Sequence, residues 1–335
     1  MTKIRKLYYF DKKNAEEMIS FLDNGDTYVS RILFNPFLPL HHLLPLRMKF
    51  LPESYVLKDN NEMKGFVTIA PSRCPQKQME IQKLLFEENC YDDAGELIQY
   101  VVSKYKAMGT ASVIVRVDDY LPELVKLLIT RCGFSQISYE KLWKLNNEYY
   151  QQSYNPKTFR IFRNSDAPAV ATIYNEQLLP HFRPLLGKDS IEFKNILFPG
   201  LSYYSEYKYV YLDKNTKDII AYLLIKTSDN ENYVLDIVQS SWAEIDIRQI
   251  VSFAYGEIYK RNRNAKLFIK SKRYTHQGEA YEKEFMDGNL ECIQNRIVLT
   301  NSSVRIIRDE ERVKKFTVLT QFYGGIGAIN KFYLR

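Results

Sequence analysis

Leu128-Ile129-Thr130-Arg131-Cys132-Gly133-Phe134 reads as the end of a helix, a glycine stop and the first residue of a strand. The glycine supplies the left-handed backbone that ends a helix without a Cβ penalty. Upstream, Leu121 to Arg131 has helical apolar spacing, and Ala111 to Val117 is a β-branched run that reads as a short buried strand. Downstream, Phe134 to Leu145 reads as a further strand. Asp92 and Asp93 open a longer helix with Leu97, Ile98, Val101, Val102 and Tyr105 inward, closed by Gly109. Gly65 to Ala70 and Met79 to Phe86 read as strands before it. Earlier still lie a connector with Pro36, Pro39, Pro45 and Pro52, and a helix that Asp11 caps, running to about Leu22.

The second half repeats this order. Thr158 to Phe162 is a strand, and Asp166 caps a helix with Pro168 in its first turn. A connector with Pro180, Pro184 and Pro199 leads to three strands, Tyr207 to Leu212, Ile219 to Lys226 and Tyr233 to Val238. Trp242 to Tyr259 is a helix, Ala265 to Ile269 a strand, Glu279 to Met286 a helix and Leu290 to Leu299 a strand. The polar stretch Asn146 to Lys157 separates the halves. The expected organisation is an N-terminal domain over 1–147, a linker over 148–157, a C-terminal domain over 158–303 and an extension over 304–335. Same element order in two halves of similar length indicates a structural repeat.

The chain of 335 residues is 45% hydrophobic and 26% charged, an ordinary globular composition that excludes bulk disorder. Its formal charge is +7, but residues 1–150 hold 20 basic and 19 acidic side chains. Lys260, Arg261, Arg263, Lys266, Lys270, Lys272 and Arg273 lie in one acid-free stretch that carries the whole excess. That pattern excludes a chain-wide nucleic-acid coat and indicates one anion-facing patch. Specific nucleic-acid recognition lacks a reading motif.

The four cysteines, Cys74, Cys90, Cys132 and Cys292, have no zinc or redox spacing. His41 and His42 are adjacent on an extended segment and point opposite ways, so no metal site is expected. The N-terminus lacks an apolar run and cleavage site, and no stretch approaches the ~20 apolar residues of a spanning helix. A cytoplasmic protein, with peripheral contact to a membrane left open, is the expectation.

The repeated element order resembles the GNAT acyltransferase fold. Leu128 to Phe134 is similar to the Leu-Tyr-Glu-Lys-x-Gly-Phe run that ends the last helix of that family, and Ala280-Tyr-Glu-Lys283 to its Tyr-Glu-Lys part. Residues 3–300 then read as two tandem GNAT-like α/β domains, each a mixed, mainly antiparallel sheet flanked by helices. Glu80 to Leu145 also looks like GNAT-type proteins of cyanobacteria and plastids.

The resemblance implies an acetyl-CoA loop, Gln/Arg-x-x-Gly-x-Gly/Ala, after the fifth strand, which starts a helix and whose glycines admit the pyrophosphate to backbone N–H groups. Here the first-half loop is Cys90-Tyr-Asp-Asp-Ala-Gly95, with two carboxylates that repel a pyrophosphate and suit simple helix capping. The second is Gln239-Ser240-Ser241-Trp242-Ala243-Glu244. Gln239, Ser240, Ser241 and Ala243 are its candidate cofactor contacts, while an indole at Trp242 would fill the groove. The resemblance also implies a Tyr that protonates the leaving thiolate and a carboxylate base. Ile129 takes the Tyr position in the first half; Tyr281 is the match in the second, with Asp236 as candidate base.

Three functions follow from this reading. The leading one is a non-catalytic protein with degenerate acetyl-CoA sites that serves as an accessory or assembly factor through protein contacts, with a photosynthetic membrane complex as the conceivable partner. The second is an active N-acetyltransferase using acetyl-CoA in its C-terminal domain. The third is a peripheral anion or lipid binder acting through residues 260–273 and the apolar tail from Lys314 to Arg335.

Overall fold

The computed structural model describes residues 3–11, 13–15, 52–60, 62–71, 78–87, 91–146, 149, 153–195 and 205–302. The His41-His42 pair, Cys74, Cys90, most of the Asp11–Leu22 helix and the 314–335 tail lie outside the described residues.

The first half supplies strands β1 (Lys3–Lys6), β2 (Glu53–Asp59), β3 (Glu62–Pro71), β4 (Gln78–Phe86), β5 (Ser112–Asp118) and β6 (Ser135–Lys144). Helix α1 (Tyr91–Ala107) joins β4 to β5, and α2 (Pro122–Thr130) joins β5 to β6. The second half supplies β7 (Phe159–Ile161), α3 (Ala167–Gln177), the single-turn α4 (Arg183–Leu186), β8 (Ser205–Leu212), β9 (Ile219–Thr227), β10 (Asn232–Gln239), α5 (Ile247–Tyr259), β11 (Lys266–Lys272), α6 (Gly278–Asp287) and β12 (Glu291–Ser302). Sequence reading missed β1 and β2, whose short amphipathic runs sit beside long polar and Pro-rich stretches.

Among the described residues twelve strands form one continuous sheet in the order β1-β2-β3-β4-β5-β12-β6-β11-β10-β9-β8-β7. The two halves are therefore interleaved. The last strand of each half inserts beside the fifth strand of the other: β12 pairs antiparallel with β5, and β6 with β11. The order is symmetric about the β12–β6 pair, in which Arg296 stands opposite Glu140. Residues far apart in sequence thus share one ladder, and the expected domain boundary is not a boundary in the sheet.

Alternation along the strands builds two layers. Val113, Val115 and Val117 of β5 face α1 and α2, in a core with Leu97, Ile98, Val101 and Leu128. Leu235, Ile237, Leu267 and Ile269 face α5 and Phe285 of α6 in a second core on the same side. The opposite side carries α3 and α4, whose Val170, Ile173 and Leu186 pack on Val210, Tyr222 and Val238, and also on Ile114 and Val298 from the junction. Full burial of one such side chain stabilises by about 1.5–3 kcal/mol. Strands covered on both faces read as the near-continuous apolar runs seen at β5 and β9.

Two splayed pairs shape the sheet. β4 and β5 are parallel and pair only from Gln78↔Ser112 to Ile81↔Val115. β10 and β11 repeat this, from Asn232↔Lys266 to Leu235↔Ile269. Beyond those points the strands diverge. On β4 the parting coincides with a bulge at Gln82, where Ile69 pairs Ile81 and Thr68 pairs Lys83; a bulge adds twist and ends pairing.

Candidate functional site

Between the splayed strands and α3–α4 lies a cavity of about 830 Å³, lined by residues of both halves. Strand register explains its charge. Asp118 stands opposite Arg296, Arg296 opposite Glu140, and Glu140 opposite Lys272, so four adjacent strands present alternating signs on one face. Such cross-strand opposite charges are individually modest stabilisers. Arg116 Nε donates to Glu140 Oε1 at 2.8 Å and its Nη1 to Glu80 Oε1 at 2.7 Å. The Tyr274 hydroxyl donates to the same Glu140 oxygen at 2.7 Å. Burial opposes ionisation of Glu140, but Arg116 and Lys270 outweigh it and hold the carboxyl well below the usual range. Its Oε2 is buried with no hydrogen-bond partner.

Asp236 faces this cavity, and Lys272 reaches across the β10–β11 splay to bind it. Burial raises the Asp236 pKa; Lys272 and Lys270 lower it further than burial lifts it. A carboxylate held ionised by an ammonium is a poor proton acceptor.

Tyr281 is on the other face, packed against the core that includes Phe285 and Leu235. Its hydroxyl donates to Gln239 Oε1, and burial pushes its pKa up. The candidate acid and base thus lie on opposite sides of the sheet. The helix ends also correct the match. Gly133 (φ 67°) and Asn289 (φ 52°) are the left-handed residues that follow α2 and α6. Four residues before each stand Ile129 and Phe285, so the counterpart of Ile129 is Phe285, and Tyr281 lies one turn earlier.

The loop after β10 is closed by its own side chains. The Gln239 N–H donates to Gln177 Oε1 at 3.3 Å, its side-chain amide to the Ala243 carbonyl at 2.9 Å, and the Ser240 N–H to the Ile220 carbonyl at 2.9 Å. Ala243 N–H donates back to the Ser240 carbonyl. Helix α5 starts at Ile247 rather than Trp242, because Asp246 is the residue whose carboxylate takes the Arg248 N–H at 2.9 Å. Trp242 is 66% exposed and fills no groove. Ser241 is exposed and Ser240 Oγ is buried without a partner.

The basic run divides. Lys260 pairs with Glu257, Arg261 lies over the Tyr207 ring at 4.1 Å, and Arg263 and Lys266 are exposed near that end of β11. Lys272 binds Asp236 and Arg273 binds Glu282. Lys270 turns into the cavity with Lys272, since alternate strand residues share a face. The seven do not form one exposed patch. Among the described residues no helix is long and apolar enough to cross a membrane, and no group of three His, Cys, Asp or Glu could hold a metal.

A strand order with two parallel splays, each followed by a helix, repeated in one chain, is the tandem GNAT fold. No protein-family model matches the sequence, and no curated protein does. Solved structures do. A tandem GNAT protein from the clavulanic acid biosynthesis pathway, without acetyl-CoA, has a TM-score of 0.59 at 9% identity, over 91% of this chain and 99% of its own. A GCN5-related N-acetyltransferase from Sphaerobacter thermophilus has a TM-score of 0.58 at 10% identity, over 91% and 97%. A Drosophila protein has a TM-score of 0.51 at 12% identity, over 89% and 98%. Identities this low show the fold alone.

Acetyl-CoA, which the fold implies, needs backbone N–H groups and a positive helix start for its pyrophosphate. After β10 three of those amides are spent internally and Asp246 occupies the helix start. At α1 the first turn holds Asp92 and Asp93.

Proposed function

We propose that this protein is a tandem GNAT-fold binding protein that has given up acetyl transfer and acts through contact with a partner protein. The observation behind it is the internal closure of the loop after β10, in which Gln239 is held by Gln177, Ala243 and Tyr281. A pyrophosphate entering there would displace each of those bonds and meet Asp246. Titration calorimetry with acetyl-CoA tests the reading. The expected result is no heat of binding; micromolar affinity overturns it. Whether the partner belongs to a photosynthetic membrane complex is a question for affinity purification of the intact chain.

A second reading is favoured by the N-acetyltransferase neighbours of the same fold. In it the C-terminal half transfers acetyl to an amine, with Asp236 as base and Tyr281 as acid. It requires Lys272 to leave Asp236, the Tyr281 hydroxyl to leave Gln239, and one reaction to span the two sheet faces on which Asp236 and Tyr281 lie. Acetyl-CoA-dependent modification of any amine, lowered by Tyr281→Phe, supports it.

A further inference from the structure

We propose that the cavity at the junction of the two halves binds a small molecule bearing a carboxylate or phosphate, and that Lys188 and Lys270 hold that group. Both lysines line the cavity, and among the described residues neither ammonium has a hydrogen-bond acceptor or an ion-pair partner. The neighbouring carboxylates are already committed: Asp236 to Lys272, Glu140 to Arg116 and Tyr274. Two ammoniums without a direct hydrogen-bond acceptor therefore face one half-open cavity, with Asp236 the carboxylate that acts on both. Leaving a cation in such a place is costly unless a counter-charge arrives.

Both side chains are pre-positioned. Lys270 sits on β11, between β10 and β6. Lys188 follows α4, where the Asn175 side chain clamps its backbone: Asn175 Nδ2 donates to the Lys188 carbonyl at 2.8 Å, and the Lys188 N–H donates to Asn175 Oδ1 at 3.0 Å. Its ammonium lies 5.0 Å from the centre of the Tyr174 ring, which steadies a cation but accepts no conventional hydrogen bond. The Tyr174 hydroxyl, also in the lining, has no partner among the described residues and adds a third donor. Burial lowers the pKa of both lysines, with Asp236 among the groups that oppose this in each case. Ammoniums, being donors only, select an oxyanion over a cation or a neutral apolar ligand. The space matches the few-hundred to ~1,000 Å³ of small-molecule sites.

The inference does not need acetyl-CoA to bind: the two lysines lie on the sheet face opposite Tyr281, in the cavity that also holds Asp236. The test is titration calorimetry of the intact protein with two probes, inorganic phosphate and citrate. Wild type is expected to bind at least one; phosphate alone assigns a phosphate ligand and citrate alone a carboxylate. Lys270→Met and Lys188→Met, on separate elements, are each expected to weaken binding by about tenfold or more, the worth of a charge-assisted hydrogen bond. Lys260→Met, at an exposed ion pair on the C-terminal end of α5 and outside the cavity lining, is expected to bind as wild type. If a variant unfolds, a probe-dependent rise in the wild-type melting temperature and the other lysine variant still decide the matter. No binding of either probe, or equal binding by all four proteins, overturns the proposal.

Discussion

Trp143 Nε1 donates a 2.9 Å hydrogen bond to Ser271 Oγ, joining the last strand of the first half to the fifth strand of the second. Both groups are buried. Because β6 and β12 are exchanged in this way, neither half completes its own sheet. Denaturant unfolding is expected to be one cooperative transition, and two resolved transitions would contradict the interleaving. Trp143→Phe strands the Ser271 hydroxyl, which costs about 1–3 kcal/mol, read as a lower urea midpoint.

Glu206 lies between Lys208 at 3.1 Å and Lys226 at 2.9 Å. Burial raises its pKa, but Lys226 and Lys208 bring it from 4.5 down to about 2. A depressed carboxylate binds fewer protons folded than unfolded. Its contribution is therefore full above about pH 4.5 and is lost as pH falls toward 2. Glu206→Gln should cost on the order of 2 kcal/mol at neutral pH and flatten the acid side of the stability profile. An unchanged acid slope would show that the ion pairs contribute nothing.

Tyr281→Phe removes the donor to Gln239 Oε1. The expected cost is about 1 kcal/mol, with no change in any acetyl-transfer assay. A drop in measurable turnover without loss of stability would favour the catalytic reading instead.

At Gly278 a Cβ would sit 2.0 Å from the Lys272 carbonyl oxygen. That oxygen belongs to the backbone and cannot step aside. Gly278→Ala is expected to destabilise by about 2–3 kcal/mol, visible in thermal unfolding, because α6 must lift away from the end of β11. A neutral effect would mean that the α6 start is free to move.

Much of the element order was legible because it follows local spacing. The strands from β3 to β12, and most helices, appear where apolar alternation and helical periodicity put them. A further repeat signal lay in the sequence. Arg5 and Asp11 form a bidentate pair, and Arg160 and Asp166 form the same pair at the same spacing of six. In each, the carboxylate also takes the N–H three residues earlier, from Tyr8 and from Arg163. The candidate site was less legible. Tyr281 shares a Tyr-Glu-Lys string with the family run, but the left-handed turn comes at Asn289, a full two helical turns on, rather than one turn on as in that run. The basic run reads as one patch along the chain, but the strand continues past Ile269 to Lys272, so Lys270 and Lys272 share the face that turns inward.

The sequence by itself determined a repeated α/β architecture, an acidic start to the first-half helix at Asp92 and Asp93, and a charge excess confined to residues 260–273. Only the tertiary structure decided which strand sits beside which. An amphipathic strand shows the same alternation whether it pairs within its own half or with the other, so the exchange of β6 and β12 leaves no local mark. That exchange sets Glu140, Arg296, Lys270 and Lys272 on one face around a shared cavity, where burial and opposing charge, rather than spacing along the chain, define their chemistry.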